Sequence, residues 1–418
     1  MSVLHILRGG LPLFLLATSL ALAKPLTIVK HEDPVEVDNT LTLAKVVSDA
    51  TEKYPDVTWL NALEEEAKAI AKRSKSWIAG AAQASLRFQE MTSGTVHYVD
   101  AVVQVPLWNP GQRSAERALA SQAKNSGQAQ SVSVKLRVAG LVRGALWDIA
   151  LQKIRHEQAL ADLELAEQLY AKVGRRVELG DLPVSDMLLA QSERLQKLSV
   201  LTEAEAELMH ARKRYTSITQ SNKIPGEYNE KLAALKEVSV NHPALVAINS
   251  QIERKQAEIK TIKLVGSGQS NVAIGINSDR SHTDDPRSNQ TESFNIGVNV
   301  PFGGEAHLAP QIAAAHVELS RLIAERDQLF RDLEQAHHEA EHNLQVNQAE
   351  FDIANQLQEV AEDHFKMMQF SFSAGEIDLM DLLKVQATAQ QAILKAKERS
   401  VIIERDKAFY NQAVGVMP

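Results

Sequence analysis

Two stretches of the sequence repeat one pattern at a fixed separation. Residues 293–304 read S-F-N-I-G-V-N-V-P-F-G-G and residues 99–111 read V-D-A-V-V-Q-V-P-L-W-N-P-G, so that Pro106 and Pro301 lie 195 positions apart. A turn at Gly180 recurs at Gly375 with the same separation. An internal duplication restricts the fold strongly, because each repeat must build the same supersecondary unit. We therefore predict a chain made of two similar repeats.

In each repeat the proline ends a stretch in which apolar and polar side chains alternate. Phe294, Ile296 and Val298 point one way, and the residues between them are Asn295 and Gly297. A period of two is typical of a strand with one apolar face. We predict hairpins formed by strands at about 84–90 and 95–105, and at about 271–277 and 293–300. The second repeat is seven residues longer here, and we place the extra residues in a polar hairpin loop within 279–291.

Long stretches with few helix-breaking residues follow both strand pairs. No proline stands between Pro110 and Pro183, and about 68 helical residues would measure roughly 100 Å. Asn109 and Pro110 are typical of a helix start. The first repeat (24–216) is predicted to hold helices at 41–53 and 56–80, a long helix at about 110–178 and a return helix at 183–214. A linker (217–229) precedes the second repeat (230–418), with a long helix at about 306–373 and a return helix at 378–414. The fold class is mostly α with a small β part.

Composition and targeting signals exclude several functions. The net charge is −8 and no block of lysine and arginine occurs, which argues against a nucleic-acid partner. The absence of cysteine rules out disulfides, thiolate metal sites and a lipid on an N-terminal cysteine. Residues 1–23 are typical of a signal peptide, with Arg8, an apolar core at 11–20 and Ala21-Leu22-Ala23 before Lys24. No later stretch is long and apolar enough for a transmembrane helix.

Four amphipathic strands cannot close a barrel alone. Open edges leave backbone N–H and C=O groups unpaired, which a membrane does not tolerate. Three protomers would supply twelve strands, within the even-numbered range of membrane barrels. The alternative is a small sheet packed on the helices of a periplasmic protein.

Several motifs in the order above resemble those of the outer-membrane efflux protein (TolC-like) family. Val105–Arg113 (V-P-L-W-N-P-G-Q-R) and Val300–Gly304 (V-P-F-G-G) resemble its strand-exit motif. Gly180–Gln191 and Gly375–Gln386 resemble its helix-tip motif twice, with Asp186/Asp381, Leu188/Leu383 and Gln191/Gln386 in register. The resemblance covers essentially the whole mature chain.

The resemblance implies a homotrimer with a twelve-stranded barrel in the outer membrane of a Gram-negative cell and a twelve-helix tunnel through the periplasm. A periplasmic adaptor and an inner-membrane pump, driven by protons or ATP, would open an iris at the helix tips. The chain would be a passive exit duct without cofactor, exporting metal cations or small toxic compounds. The alternatives are drug efflux, type I protein or peptide secretion, and, in another class, a periplasmic coiled-coil adaptor or scaffold without a pore.

The same resemblance designates candidate site residues. At the gate they are Gly180, Asp186, Gly375, Asp378, Asp381 and Lys384, and in the strand-exit motif they are Pro106, Gly111, Pro301, Gly303 and Gly304. The family commonly has a second carboxylate three residues after Asp381, where this chain has Lys384. Asp378 and Glu376 are the nearby carboxylates that could replace the missing charge. A simpler role for Asp381 is to complement the helix dipole.

One motif points to an enzyme. His338-Glu339-Ala340-Glu341-His342 spells H-E-x-x-H, which in zinc proteases supplies two ligands and a base. It lies in the middle of a predicted rod with no third ligand, and the first repeat has Arg143 where the second has His338. We therefore predict no catalysis, and keep only a weak surface metal site at His338 and His342 as a candidate. No phosphate-binding glycine loop occurs, so nucleotide binding is not expected.

Overall fold

The computed structural model describes residues 34–90, 96–281 and 290–418. The helices are α1 (Leu43–Lys53), α2 (Asp56–Lys75), α3 (Gln112–Glu178), α4 (Val184–Thr219), α5 (Pro243–Val265), α6 (Glu305–Ala374) and α7 (Leu379–Ala413). The strands are β1 (Glu36–Asp38), β2 (Gln83–Glu90), β3 (Val96–Pro106), β4 (Lys223–Pro225), β5 (Asn271–Ser281) and β6 (Gln290–Asn299). The prediction of a mostly helical fold with a small sheet is confirmed.

Four strands form one antiparallel sheet in the order β2-β3-β5-β6. Each repeat contributes a hairpin, and the hairpins join where Ala101 of β3 pairs with Ile276 of β5. Strands β2 and β6 are therefore the two open edges of this sheet.

The helices continue the order of the strands. Near the sheet, α3 packs against α2 and α5, and α5 packs against α6; farther away, α3 packs against α4 and α7, and α7 packs against α6. The layer therefore runs α2-α3-α5-α6 beside the sheet and α4-α3-α7-α6 beyond it. We call its two outer sides the α4 edge and the α6 edge.

Most elements of the two repeats correspond at a fixed separation, although α1 has no helical counterpart in the second repeat. From β3 and β6 onward, residues of the first repeat have counterparts 195 positions later; before these strands the separation is 188. Helix α4 ends in the left-handed conformation at Gln220 (φ 51°), and its counterpart Gly415 (φ 82°) has the same conformation after α7. The duplication therefore extends to backbone detail.

A core lies halfway along α3. Apolar residues of α1 (Val46, Val47), α3 (Val138, Leu146) and α4 (Ala211) form it, among others. Tyr215 is buried beside it and donates a hydrogen bond to the Lys223 carbonyl oxygen at 2.7 Å. This contact attaches β4, which pairs in parallel with β1, to the helical layer.

Several element boundaries differ from the predictions. Helix α2 ends at Lys75 instead of residue 80, because Ser76 is extended and its carbonyl oxygen accepts a hydrogen bond from Trp108 Nε1 at 3.1 Å. Helix α4 continues to Thr219, past 214, because its last turn packs into the α1 core. Strand β4 lies within the predicted linker, and strand β1 lies just before α1. Both strands are too short to give a periodicity signal in the sequence.

The second hairpin also differs. Strand β5 runs to Ser281, beyond the predicted 277, because its polar end continues the ladder to β3 and β6. Residues 282–289, the middle of the loop expected within 279–291, lie outside the described residues, as does the predicted signal peptide. Within the described residues, no helix has the length and apolar character needed to cross a bilayer.

Candidate channel wall and helix tips

One face of the four-stranded sheet is apolar across all strands. Leu86, Ala101, Ile276 and Phe294 form one row in the register. Leu86 is 77% exposed and Phe294 68% exposed. The face also contains Phe88, Val99, Val103, Val105, Val272, Ile274, Ile296 and Val298. It extends about 20 Å along β3, and an exposed apolar surface of this size requires a partner or a membrane.

The opposite face of the sheet is polar and finely packed. It carries Ser85, Asp100, Gln104, Asn277 and Asn295, with glycines between them. A Cβ at Gly275 would lie 2.6 Å from Asn295 Oδ1 and 2.9 Å from the Ala101 carbonyl oxygen. The sheet thus has the two-faced character of a wall between an apolar medium and water.

The strand-exit residues turn each strand into a long helix. Pro106 is the last residue of β3, and Gly111 adopts φ 80° as the N-cap of α3. In the second repeat, Pro301 follows β6, Gly303 has φ 72°, and the Gly304 N–H donates to Ser267 Oγ at 2.8 Å. A Cβ on Gly304 would lie 2.8 Å from the Ser267 backbone, so this corner requires glycine.

Asn109 has a different role from the predicted cap. Helix α3 begins at Gln112, and the Asn109 Nδ2 group donates to the carbonyl oxygens of Leu264, Val265 and Gly268 at 2.9–3.2 Å. Its side chain therefore binds the end of α5, because the carbonyls there lack helical partners. The predicted capping role of Asn109 was therefore wrong, and α3 begins two residues after the predicted start at about 110.

The two helix tips have the same hydrogen-bond pattern. Gly180 (φ 80°) and Gly375 (φ 79°) follow α3 and α6 in the left-handed conformation. The N–H groups of Gly180 and Asp181 donate to Val177 and Arg176 carbonyls, and those of Gly375 and Glu376 donate to Phe372 and Ser371 carbonyls. This pair of backbone hydrogen bonds ends each helix sharply, and the return helix then runs back along it.

The tips differ in their charged groups. Asp378 caps α7 by accepting from the Asp381 N–H at 2.8 Å, and the Lys384 Nζ lies 3.1 Å from Asp381 Oδ1. Asp186 stands in the first turn of α4, which begins after Pro183 without a side-chain cap. Because Lys384 pairs with Asp381 within one helix, the second tip keeps Asp378 and Glu376 as carboxylates without a lysine beside them in the described contacts.

The tips of the two repeats pack against each other. Leu169 and Val173 of α3 are buried with Phe372, Leu379 and Leu382 of the second repeat. Arg176 donates to the Phe372 carbonyl oxygen at 3.2 Å and lies over its ring at 5.2 Å. The sequence offered no periodic signal for Arg176, since the contact joins helices 196 positions apart.

A polar network lies above the tips in the seam between α3, α4 and α7. Gln158 donates to Asp162 at 2.7 Å and accepts from the Lys397 Nζ at 2.8 Å. The Lys197 Nζ donates to Gln390 Oε1 at 2.7 Å. Burial raises the pKa of Asp162, while the Gln158 hydrogen bond and the two lysines oppose that rise.

Arg143 holds the repeats together at mid-height. Its guanidinium is fully buried and makes a bidentate pair with Glu230 of the connecting segment, at 2.5 and 2.7 Å. It also donates to Gln412 Oε1 at 2.6 Å and to the Val416 carbonyl oxygen at 3.1 Å. In the sequence, Arg143 is a lone arginine within the otherwise uncharged stretch 138–147, at the position that matches His338, and nothing nearby indicates its partners.

The histidines of the H-E-x-x-H segment lie in different surroundings on α6. His337 is buried with its Nε2 3.3 Å from the Tyr410 hydroxyl, so it is a packing residue. His338 and His342 are exposed, with parallel rings whose centroids lie 6.4 Å apart. In the described part of the chain, no group of three or more His, Cys, Asp or Glu side chains is placed to hold a metal ion.

The α4 and α6 edges expose residues whose counterparts are covered. Leu379 of α7 is 1% exposed against α3, but its counterpart Val184 on α4 is 67% exposed. Gln158 of α3 is 5% exposed beside α7, and its counterpart Ile353 on α6 is 65% exposed. At two further positions the exposed edge residue is apolar and its covered counterpart is polar. Leu357 on α6 matches Asp162 on α3, and Leu195 on α4 matches Gln390 on α7.

The fold is shared with solved structures of outer-membrane proteins, two of which are described as channels. The outer membrane protein VceC of Vibrio cholerae aligns with a TM-score of 0.72 at 12% identity, over 90% of this chain and 96% of that chain. The CmeC outer membrane channel of Campylobacter jejuni aligns with a TM-score of 0.70 at 12% identity, over 89% and 85%. The MtrE outer membrane channel of Neisseria gonorrhoeae aligns with a TM-score of 0.66 at 14% identity, over 90% and 89%. No protein-family model and no curated protein sequence matches the chain. At these identities the likeness establishes a shared fold.

Proposed function

We propose that this protein is the outer-membrane exit duct of a tripartite efflux pump, a passive conduit without catalytic activity. The observation that carries the proposal is the sheet with an exposed apolar face and two open edges at one end of a helical layer that is also open at both edges. A membrane covers such a face, and further protomers complete such edges. The shared fold with outer-membrane channels supports the same assignment.

The internal seam is the template for assembly. Strand β3 pairs with β5 and helix α3 packs on α7 within one protomer. By the duplication, β6 would pair with β2 of the next protomer and α6 would pack on its α4. Three protomers would then give a closed ring of twelve strands, an even number within the range of membrane barrels. We therefore propose a homotrimer whose apolar sheet face contacts outer-membrane lipid and whose helices extend into the periplasm.

The helix tips are the proposed gate. Gly180 and Gly375 end the rods, and the tip core formed by Leu169, Phe372 and Leu379 keeps the two hairpins of a protomer together. Asp186, Asp378 and Asp381 place carboxylates near the opening, and Lys384 offsets part of their charge. We propose that a periplasmic adaptor and an inner-membrane pump bind here and move these tips apart.

The cargo would be metal cations or small toxic compounds, selected by the pump. The polar face of the sheet supports a water-filled lumen that accepts solutes of many kinds. Growth of a host lacking its own duct, with and without this protein, in copper salts and in a cationic dye separates these cargoes. Protection against one class alone would assign the cargo to that class.

The direct test is reconstitution. We expect the mature protein, purified in detergent, to have the mass of three chains plus bound detergent by light scattering, and to conduct ions in planar bilayers. Replacing Lys384 by Glu should shift the reversal potential in a salt gradient toward cation selectivity, with Lys366→Glu, at an exposed position outside the tip, as the control. A monodisperse monomer that needs no detergent and does not conduct would overturn the proposal.

A further inference from the structure

An open cavity lies at the end of α4. Its volume is about 490 Å³, and Thr216, Ser217, Gln220 and Ser221 line it together with residues at 34, 213 and 222. Ser217 is exposed, and the lining offers three hydroxyl groups, the amides of Gln220 and Asn222, and the Lys213 side chain. The corresponding site at the end of α7 in the second repeat is not a cavity, because a side chain fills it.

In the second repeat, Arg143 occupies this place. Gln412 and Val416 are the counterparts of Ser217 and Ser221, and they accept hydrogen bonds from the Arg143 guanidinium at 2.6 and 3.1 Å. Arg143 reaches them from α3, the helix that packs beside α7. The side chain that fills the second-repeat site thus comes from α3, the long helix of the first repeat.

The counterpart of Arg143 is His338 on α6, and it is exposed. One turn later, Trp147 is covered by Tyr228, whose ring centroid lies 4.9 Å away. The counterpart of Trp147 is His342, also exposed, and the counterpart of Tyr228 is Thr40. Two histidines on the α6 edge therefore occupy positions that the first repeat buries.

We propose that His338 of one protomer seats in the α4-end cavity of the next protomer, and that His342 lies under the segment 34–42 of that protomer. This inference rests on the self-assembly of protomers in the proposed function. It specifies one contact between protomers, about halfway along the long helices. An imidazole N–H donates to the Ser217 hydroxyl or to the Ser221 carbonyl, as the guanidinium of Arg143 does to their counterparts. The segment before α1 would then bridge two protomers, as the segment 226–235 bridges the two repeats.

A cross-linking experiment tests this contact. The natural chain has no cysteine, so introduced thiols are the only ones. Within one chain, His338 and Ser217 belong to opposite edges of a layer four helices wide, roughly 25–30 Å apart. We expect the double variant His338→Cys/Ser217→Cys, treated with a short bis-maleimide in detergent, to form covalent dimers and trimers on a denaturing gel. The control His364→Cys/Ser217→Cys, with the α6 thiol about 39 Å nearer the tip, should remain monomeric on that gel.

A second pair and a mass measurement separate the possible failures. Thr40→Cys/His342→Cys should also cross-link between chains, and it decides the question if the first pair prevents assembly. Oligomers by light scattering without a cross-link from either pair would overturn this contact and leave self-assembly intact. Monomers of the unsubstituted protein by light scattering would overturn both.

Discussion

Helices α3 and α6 are the same element of the two repeats, but their surroundings differ. Helix α3 packs against α1, α2, α4, α5 and α7, whereas the main packing partners of α6 in the described part of the chain are α5 and α7. At matching positions α3 has Arg143, Gln158 and Asp162 in hydrogen bonds, and α6 has His338, Ile353 and Leu357 exposed. The exposed member of each pair is thus the one whose neighbour would come from another protomer.

The difference shows how a duplicated chain divides its interfaces. The seam inside the protomer forms once during folding and contains a polar network that fixes its register. The proposed seam between protomers would form from separate chains, and apolar burial would favour that association because it needs no exact pairing of charges. Four experiments follow, of which the first three test this comparison and the last tests a helix cap.

The largest effect is expected from Arg143→Ala. It would leave Glu230 without its bidentate partner in a nearly buried place, which costs about 3–5 kcal/mol of unfolding free energy. Denaturant unfolding in detergent measures it. His338→Ala, at the counterpart, should leave the stability of the dissociated chain within about 0.5 kcal/mol of wild type. Equal losses in the two variants would contradict the contrast between α3 and α6.

Ile353→Lys combined with Leu357→Lys should weaken the proposed α6 edge. Two ammonium groups at an apolar interface would lower the association constant by about 100-fold, near 3 kcal/mol. Light scattering over a dilution series measures the oligomer fraction. The control is Asn355→Lys, on the opposite side of α6. An unchanged oligomer in the double variant would show that this edge is not an interface.

Asp162→Asn should stabilise the internal seam at neutral pH. Burial raises the pKa of Asp162 above its ordinary 3.8, so the wild-type residue contributes stability below that pH and loses it as the pH rises through the folded pKa. We expect a Tm gain of a few degrees at pH 7 that disappears near pH 3. Thermal melts at both pH values measure it. A lower Tm at pH 7 would mean that the charge is needed by Lys197 and Lys397.

The smallest effect is expected at His242, the N-cap of α5. Its Nδ1 accepts from the Ala244 N–H at 3.2 Å, and burial lowers its pKa from the ordinary 6.5. Its stabilising contribution is present above pH 6.5 and is lost as the pH falls through the folded pKa. His242→Asn keeps a capping acceptor without a titratable group, so the loss of stability as the pH falls below 6.5 should be smaller in this variant than in the wild-type protein. If the pH dependence of stability is the same in His242→Asn and in the wild-type protein, that dependence originates from groups other than His242.

The predictable part of the site is local in the sequence. Gly180 and Gly375 end rods because a left-handed residue is needed there, and Pro106 and Pro301 stop strands because they cannot donate to a ladder. Asn109 was misassigned, because a capping residue looks the same in sequence whether it caps its own helix or binds another. The role of Arg143 and the seam around Asp162 could not be predicted, because their partners lie 87 to 273 positions away along the chain.

The sequence by itself determined the duplication, the alternation that makes two-faced strands and the unbroken helical rods, because these depend on periods of two and 3.6 residues. Only the tertiary structure decided that the hairpins join through β3 and β5, that Arg143 binds both the connecting segment and the C-terminal end, and that α6 has one uncovered side. Those facts depend on which surfaces meet in space. A sequence pattern that is the same in both repeats does not distinguish a surface covered by its own chain from a surface that its own chain leaves uncovered.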